Sequence, residues 1–472
     1  MQSLRRALSA PAAVVCGWLV LAATCYPSLW DKDGAGLFKL DAWIYYHAVA
    51  QWHAGGSLYD WYANPADHLW PFTYPPFAAA VFTPLTWGSD RTAQVLLVAA
   101  TPVCATAAAW AVLRALGVAR SVARGGAPWL AAAGVIVLEP LPKTMEYGQV
   151  NAILMALVAL DLLVVPKRSR WRGVLSGLAA AFKLTPAIAV LVLLARCELR
   201  AAATMVLTAL GVTALCWVVW PAESAEFFGS AMWDPGRAGL SDYSGNQNIM
   251  GLVARWLPEQ AWRPAWALGS LIVLLVASAL LVALTPQRWG PAAQRSRGIL
   301  GRVLSGVAGD GGPAGADGTA ADRRTREADD GLVMLLGLVV TMTAGLLVSP
   351  ITWSHHWVWC LPLLIALTAA AHRWQSPALW VTALMGAAVF ALAMQWWFPE
   401  QNHVEQDWPL WAGAVGSSYT WFALAAGAVL WREIPWRRAA RAGAAQAPGT
   451  PDTDPRGAAT GPTEPARQNP PD

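Results

Sequence analysis

Apolar runs of about 20 residues, separated by short basic or polar stretches, recur along most of the chain, and each is long enough to cross a bilayer as a helix. The pattern predicts an all-α, polytopic integral membrane protein. Arginine and lysine gather at Arg5-Arg6, at Arg114, Arg120 and Arg124, at Lys167-Arg168 with Arg170 and Arg172, at Arg196 with Arg200, in 287–328, and from Arg432 onward. Segments 30–71, 139–147, 221–248 and 399–408 are poor in both. With the basic patches in the cytoplasm, about ten crossings follow, near 11–29, 92–113, 128–142, 148–165, 199–220, 263–285, 331–350, 356–371, 376–397 and 409–431. Both termini are then cytoplasmic. Stretches 72–88 and 173–195 must dip in and return, and their prolines suit broken helices packed within protein. A count of about twelve spans is the alternative, and it puts some arginines outside.

Composition supports this class. The 472 residues are 56% hydrophobic and 13% charged, against roughly a quarter charged in soluble domains. The net charge of +4 comes largely from loop arginines, so it implies no nucleic-acid partner. Six cysteines, mostly inside apolar runs and without metal spacing, read as small core residues. The first apolar run is too long for a signal peptide's core and reads as an uncleaved first helix. The Gly/Ala/Arg/Asp-rich 287–330 loop and the Pro/Gly/Thr-rich end of the chain read as disordered cytoplasmic segments. The expected organisation is a membrane catalytic domain over 1–431, including an outer loop at 30–71, and a tail over 432–472. No P-loop or Rossmann glycine pattern is present, and no internal repeat supports an inverted-repeat transporter.

On that topology four polar motifs from distant parts of the sequence share the outer face. Asp41 opens the first outer loop. Glu146, Gln149 and Asn151 lie in EYGQVN, and Tyr243, Asn246 and Gln247 lie in DYSGNQN. Trp353, His355 and His356 lie in SPITWSHHW. Ordinary roles compete for each. A loop aspartate often caps a helix, and Asp31, Asp33, Asp60 and Asp67 are rivals in the same loop. Histidines among tryptophans suit an interfacial belt, and amides in a bundle commonly join neighbouring helices. Asn246 to Asn248 also suit a turn. Lys183 is harder to assign to structure. It sits midway along GLAAAFKLTPAIAVLVLL, where a charge costs a few kcal/mol, so a functional role outweighs snorkelling. The chain holds 29 Trp against 10 Phe and 9 Tyr, more than belt anchoring alone asks for, and flat indole faces suit pyranose rings.

An outer acid, an intramembrane cation and aromatic platforms fit group transfer from a lipid phosphate. The attacking hydroxyl needs a base, and the departing phosphate needs a cation. LDAWIYYHA, GGSLYD, FTYPPF, YGQVN, FKLTP, SGNQN and SPITWSHHW occur in that order between about residues 38 and 360, and together they resemble glycosyltransferase family 87, the integral-membrane GT-C mannosyltransferases. The resemblance implies a GT-C-like helical bundle of about 10–12 membrane helices with two membrane-dipping broken helices and outer-face loops forming the active site. It implies a polyprenyl-phosphate-mannose donor, a mannosylated phosphatidylinositol or lipoglycan acceptor, and an α-1,2 linkage made with inversion outside the plasma membrane. By position, Asp41 corresponds to the family's catalytic base, and His355 or His356 to a further site residue. Lys183 or a histidine would hold the donor phosphate, with Glu146, Gln149, Asn151, Tyr243, Asn246, Gln247 and Trp353 lining the substrates. Some GT-C enzymes use a divalent metal, but no cage is evident here, so no metal or other cofactor is expected to be essential. Ala42 after the acid, Ile44, and the long 287–330 insertion depart from the commoner pattern. An arabinosyl- or glucosyltransferase and a lipid-linked sugar flippase are the rival readings.

Overall fold

The computed structural model describes residues 2–29, 38–285, 320–400 and 402–435. Asp31, Asp33, most of the 287–330 loop and the tail past 435 lie outside the described residues. The regular structure of the described residues is helical apart from one short hairpin, β1 (Tyr62–Asn64) against β2 (Leu69–Pro71), antiparallel with Tyr62 opposite Pro71.

Seven described helices are long and apolar enough to cross a membrane, and two bent pairs bring the number to nine. The straight ones are built on α1 (Pro11–Cys25), α4 (Asp90–Ala115), α10 (Leu199–Val219), α12 (Glu259–Leu284), α13 (Ala320–Val348), α14 (Cys360–Arg373) and α15 (Pro377–Leu392). The bent pairs are α5 (Arg120–Val137) with α6 (Pro140–Tyr147), turned by 82°, and α16 (Leu410–Gly416) with α17 (Ser418–Glu433), turned by 70°. The remaining crossing expected at 148–165 is α7 (Asn151–Leu163). Its 13 residues reach only about 20 Å, short of a full hydrocarbon core. Helix α13 also begins earlier than expected. AADRRTREADD, read as loop, forms its first turns, because alanine and long charged residues are good helix formers.

Ion pairs mark one end of the bundle. Arg172 Nε meets Glu198 Oε2 at 2.8 Å, Arg196 Nε meets Glu198 Oε1 at 3.1 Å, and Arg196 Nη2 meets Asp330 Oδ1 at 2.7 Å. Lys167 also pairs with Asp330. Both arginines are almost wholly buried, and each has a carboxylate partner, as a buried charge requires. From this end the expected dip at 173–195 enters and returns. Helix α8 (Val174–Phe182) climbs from Arg172 to Lys183, the chain breaks at Thr185-Pro186, and α9 (Val190–Ala195) descends to Arg196. Proline lacks the N–H that would continue the helix. Lys183 is left near the tip. The other dip at 72–88 contains α3 (Pro76–Phe82), also followed by a proline-containing turn.

The base of the first dip hangs on Asp161 of α7. Its carboxylate oxygens accept from the backbone N–H groups of Gly173 and Ser176, both at 2.8 Å, in a fully buried position. These are N–H groups at the start of α8, which have no partner within the helix. Asp161→Ala leaves both buried donors unmade, at about 1–3 kcal/mol each. The expected outcome is a clearly lower Tm in detergent, with the exposed Asp60→Ala variant unchanged as reference. Equal Tm values for both variants would count against this role.

Candidate active site

At the opposite end, a close backbone approach assembles the polar residues. Helix α6 ends at Gly148, which is left-handed at φ +68°, a conformation that disfavours other residues. A Cβ there would lie 2.6 Å from Ala42 Cβ and 3.1 Å from Lys39 Cβ. The glycine thus lets the YGQVN turn rest on the first turn of α2 (Leu40–His53), the helix that carries Asp41. The side chain of Gln149 then lies beside Asp41 and favours its ionised form. Its Oε1 accepts from Tyr45 Oη at 3.0 Å and Tyr74 Oη at 3.2 Å, and the two hydroxyls are 2.9 Å apart. With the amide oxygen occupied by tyrosines, the amide N–H is the group left for the carboxylate.

Tyr74 links this group to the cation. Lys183 Nζ lies 3.4 Å from Tyr74 Oη, 3.1 Å from Asn151 Oδ1 and 3.4 Å from His356 Nε2. An ammonium donating to His356 Nε2 leaves that ring's proton on Nδ1. Burial pushes the Asp41 carboxyl up to about 6, against the Gln149 side chain and the Lys183 charge, which both lower it. A small apolar recess opens beside Lys183 and His356, walled by Leu154, Pro186, Met342 and Leu346.

The two histidines diverge as adjacent residues on a helical turn should. Their rings stand at 90° with centroids 4.8 Å apart. His356 faces Lys183, while His355 lies 4.9 Å from the Tyr147 ring. The backbone carbonyl of His355 is clamped by Thr144 Oγ1 at 3.0 Å and Asn151 Nδ2 at 3.3 Å. Among the described residues its buried Nε2 has no hydrogen-bond partner.

Other expected substrate residues are placed differently. Asn246 and Gln247 are fully buried, and their amides are taken up by backbone groups. Asn246 bonds Ser241 O, Pro350 O and Thr352 N; Gln247 bonds Ser244 O, Gly416 O and Tyr419 N. They hold the SGNQN and SPITW segments together, so they frame the site without being free to touch a substrate. Glu146 is exposed and pairs with Lys143 at 3.1 Å, away from the Asp41 group. Tyr243 and Trp353 pack on each other with ring centroids 5.6 Å apart. Among the described residues, no three His, Cys, Asp or Glu side chains form a group able to hold a metal ion.

Sequence reasoning missed Tyr45, Tyr74 and Glu139. Glu139 sits in the α5–α6 bend and accepts from Ser354 Oγ at 2.8 Å, Trp396 Nε1 at 2.9 Å and Tyr419 Oη at 2.9 Å. It anchors the residue immediately before the histidines. The rule that singled out Lys183, an ionisable group inside an apolar stretch, applies equally to Glu139.

The bundle thus places Lys183 and His356 beside an apolar recess and links them through Tyr74 and Gln149 to the Asp41 carboxylate, an arrangement that fits the class of membrane glycosyltransferases. Residues 72–308 match glycosyltransferase family 87, and the chain belongs to that family. It is 35% identical over 419 residues, 84% of each chain, to the polyprenol-phosphate-mannose-dependent alpha-(1-2)-phosphatidylinositol mannoside mannosyltransferase of Mycolicibacterium smegmatis. It is 30% identical to the protein of that name from Mycobacterium tuberculosis, over 86% of this chain and 88% of the relative. A pentamannoside mannosyltransferase of Mycobacterium tuberculosis is 32% identical over 70% of this chain and 66% of its own length. No solved structure matches.

The Gly148 contact carries a direct test. Gly148→Ala should displace Gln149 from Asp41 and lower transfer on the order of 10²-fold, the scale of a misplacement of about 1 Å. Adding Ala42→Gly removes the closest clashing atom and should restore part of the rate. Full activity of Gly148→Ala alone would break the link between this turn and the carboxylate.

Proposed function

We propose that the chain moves mannose from a polyprenyl-phosphate-mannose donor to a mannosylated phosphatidylinositol lipid or lipoglycan, forming an α-1,2 linkage with inversion. The observation that carries this reading is the chain of contacts from Asp41 through Gln149 and Tyr74 to Lys183. It joins the proposed base and the proposed phosphate-binding cation in one connected group of side chains, which supports a shared role. The relatives' names supply the sugar, the donor and the acceptor class. They also favour mannose over arabinose or glucose, and transfer over flipping.

In this mechanism the donor phosphate lies against Lys183 and His356, with the polyprenyl chain leading away along the apolar surface of the bundle. The acceptor's 2-hydroxyl attacks the anomeric carbon while Asp41 takes its proton. The new C–O bond forms as the bond to the phosphate oxygen breaks, and polyprenyl phosphate leaves as an anion stabilised by Lys183. One displacement on a β-linked donor gives an α-mannoside. Arg172, Arg196, Lys167, Arg373 and Arg432 lie toward the end opposite Asp41, which by the positive-inside rule supports an extracytoplasmic site.

Asp41→Asn should keep the protein folded and in the membrane while lowering the rate by about 10² to 10⁴. With the Asp41 carboxyl near 6, wild-type kcat/KM should decline about tenfold per unit as pH falls below that value, because a base must be ionised. The Asn variant should lack this acid limb. A variant that retains both rate and limb would move the base elsewhere, with Asp60 next to test.

Lys183→Met should raise KM for the lipid donor more than for the acceptor. Measured in purified membranes, an unchanged donor KM would return Lys183 to a structural role.

A further inference from the structure

Next to Tyr147, two residues before Gln149, a second group of side chains extends away from the Lys183 recess. Lys143 Nζ lies 5.3 Å from the Tyr147 ring centroid and 4.9 Å from that of Trp396. Tyr243 follows, 6.0 Å from Trp396 and 5.6 Å from Trp353. All four rings are half-buried, so each keeps an accessible edge or face. The backbone makes room for them. A Cβ on Gly245 would lie 2.8 Å from Tyr243 Cε1 and 3.1 Å from Trp396 Cη2, and one on Gly239 would lie 2.9 Å from Trp353 Cζ2.

Two features distinguish this group from membrane-belt tryptophans. Trp396 directs its indole N–H inward to Glu139 at 2.9 Å, which fixes the ring, whereas its neighbour Trp397 is 57% exposed. The edges of the group are polar: Lys143 pairs with Glu146 at 3.1 Å, and Glu400 Oε2 accepts from Ser244 Oγ at 3.1 Å. At its inner end stands His355, with a buried Nε2 that has no hydrogen-bond partner among the described residues. Flat apolar faces bordered by charged hydrogen-bonding groups complement a pyranose, which has C–H faces and a rim of hydroxyls.

We propose that Tyr147, Tyr243, Trp353 and Trp396, with Lys143 at the edge and His355 at the inner end, bind a hexose of the acceptor that does not itself react. The inference rests on the mannosyltransferase reading above. It adds a subsite one sugar removed from the hydroxyl that attacks at Asp41. The spacing agrees, because the Cα atoms of Tyr147 and Gln149 are at most about 7 Å apart, on the scale of one sugar ring. An acceptor presenting two linked mannoses then fills both positions, and His355 Nε2 gains a hydroxyl partner.

The test compares the wild-type protein in detergent with Trp353→Ala and Trp353→Phe. Binding of methyl α-mannoside and of an α-linked mannobiose is measured without donor by saturation-transfer NMR, and KM is then measured for donor and for mannolipid acceptor. The wild type should bind the disaccharide more tightly than the monosaccharide. Trp353→Ala should erase that preference and raise the acceptor KM about tenfold, the effect of losing about 1.4 kcal/mol, with donor KM unchanged. Trp353→Phe, which keeps a ring, should recover most of the affinity. A preserved disaccharide preference in Trp353→Ala, or a rise in donor KM alone, overturns the subsite while leaving the mannosyltransferase reading intact. Wild-type protein that transfers no mannose to any mannolipid overturns that reading first, and the subsite with it.

Discussion

The structure depends on how one positive charge is accommodated within an apolar bundle. Lys183 meets Tyr74, Asn151 and His356, groups drawn from four well-separated parts of the chain once the lysine itself is counted. Satisfying the cation and assembling the site are therefore the same event. The character of the partners matters as much as their number. At the other end of the bundle, Arg172 and Arg196 are neutralised by Glu198 and Asp330, which makes them structural. Lys183 is surrounded by a hydroxyl, an amide and an imidazole, which solvate the charge without cancelling it. Its nearest anion in the network, Asp41, is reached only through Tyr74 and Gln149. A cation held in this way keeps its attraction for an anionic phosphate.

Depth follows from helix lengths. The nine residues of α8 rise about 14 Å, roughly half a hydrocarbon core, before the break that exposes Lys183. Helix α7 runs alongside and begins at Asn151, level with the lysine, which is why it is too short to span the core by itself. The upper half of the missing span is taken by the bend at Glu139, the turn at Gly148 and the aromatic side chains around them. The site is thus a recess sunk into the bundle. The carboxylate proposed as base on α2 and the cation at mid-depth would then reach the proposed donor phosphate from two levels.

Much of this was legible in the sequence. Apolar run lengths and arginine patches located the crossings, because bilayer thickness and charge placement act on every segment alike. Lys183 stood out because it violates a strong local expectation, and Asp41 because its position matches the base of the family the motifs resemble. Glu139 violates that expectation too, inside the crossing expected at 128–142, but its partners Ser354, Trp396 and Tyr419 lie 215 to 280 residues away in sequence. Contacts between distant segments were not legible. Nothing local says that Gly148 must face Ala42, that Tyr74 would bridge Gln149 and Lys183, or that His356 and not His355 turns toward the lysine. The amides of Asn246 and Gln247 looked like ligand contacts because their backbone partners lie up to 172 residues away in sequence.

The division of labour between those amides and His355 explains how the recess stays both rigid and receptive. Asn246, Gln247 and Asn248 commit their side chains to backbone groups, and Arg255 adds hydrogen bonds to the carbonyls of Asp242, Tyr243 and Asn246. Two loops that carry no regular structure are thereby fixed against α11 (Ile249–Trp256) and the helix termini. Thr144 and Asn151 clamp His355 by its carbonyl alone, and leave the imidazole Nε2 unmatched among the described residues. An unmatched buried polar atom is costly, and a substrate hydroxyl that satisfies it regains that cost on binding. Rigid backbone with an unsatisfied side chain is the arrangement in which binding energy goes to the ligand and is not lost in ordering the site.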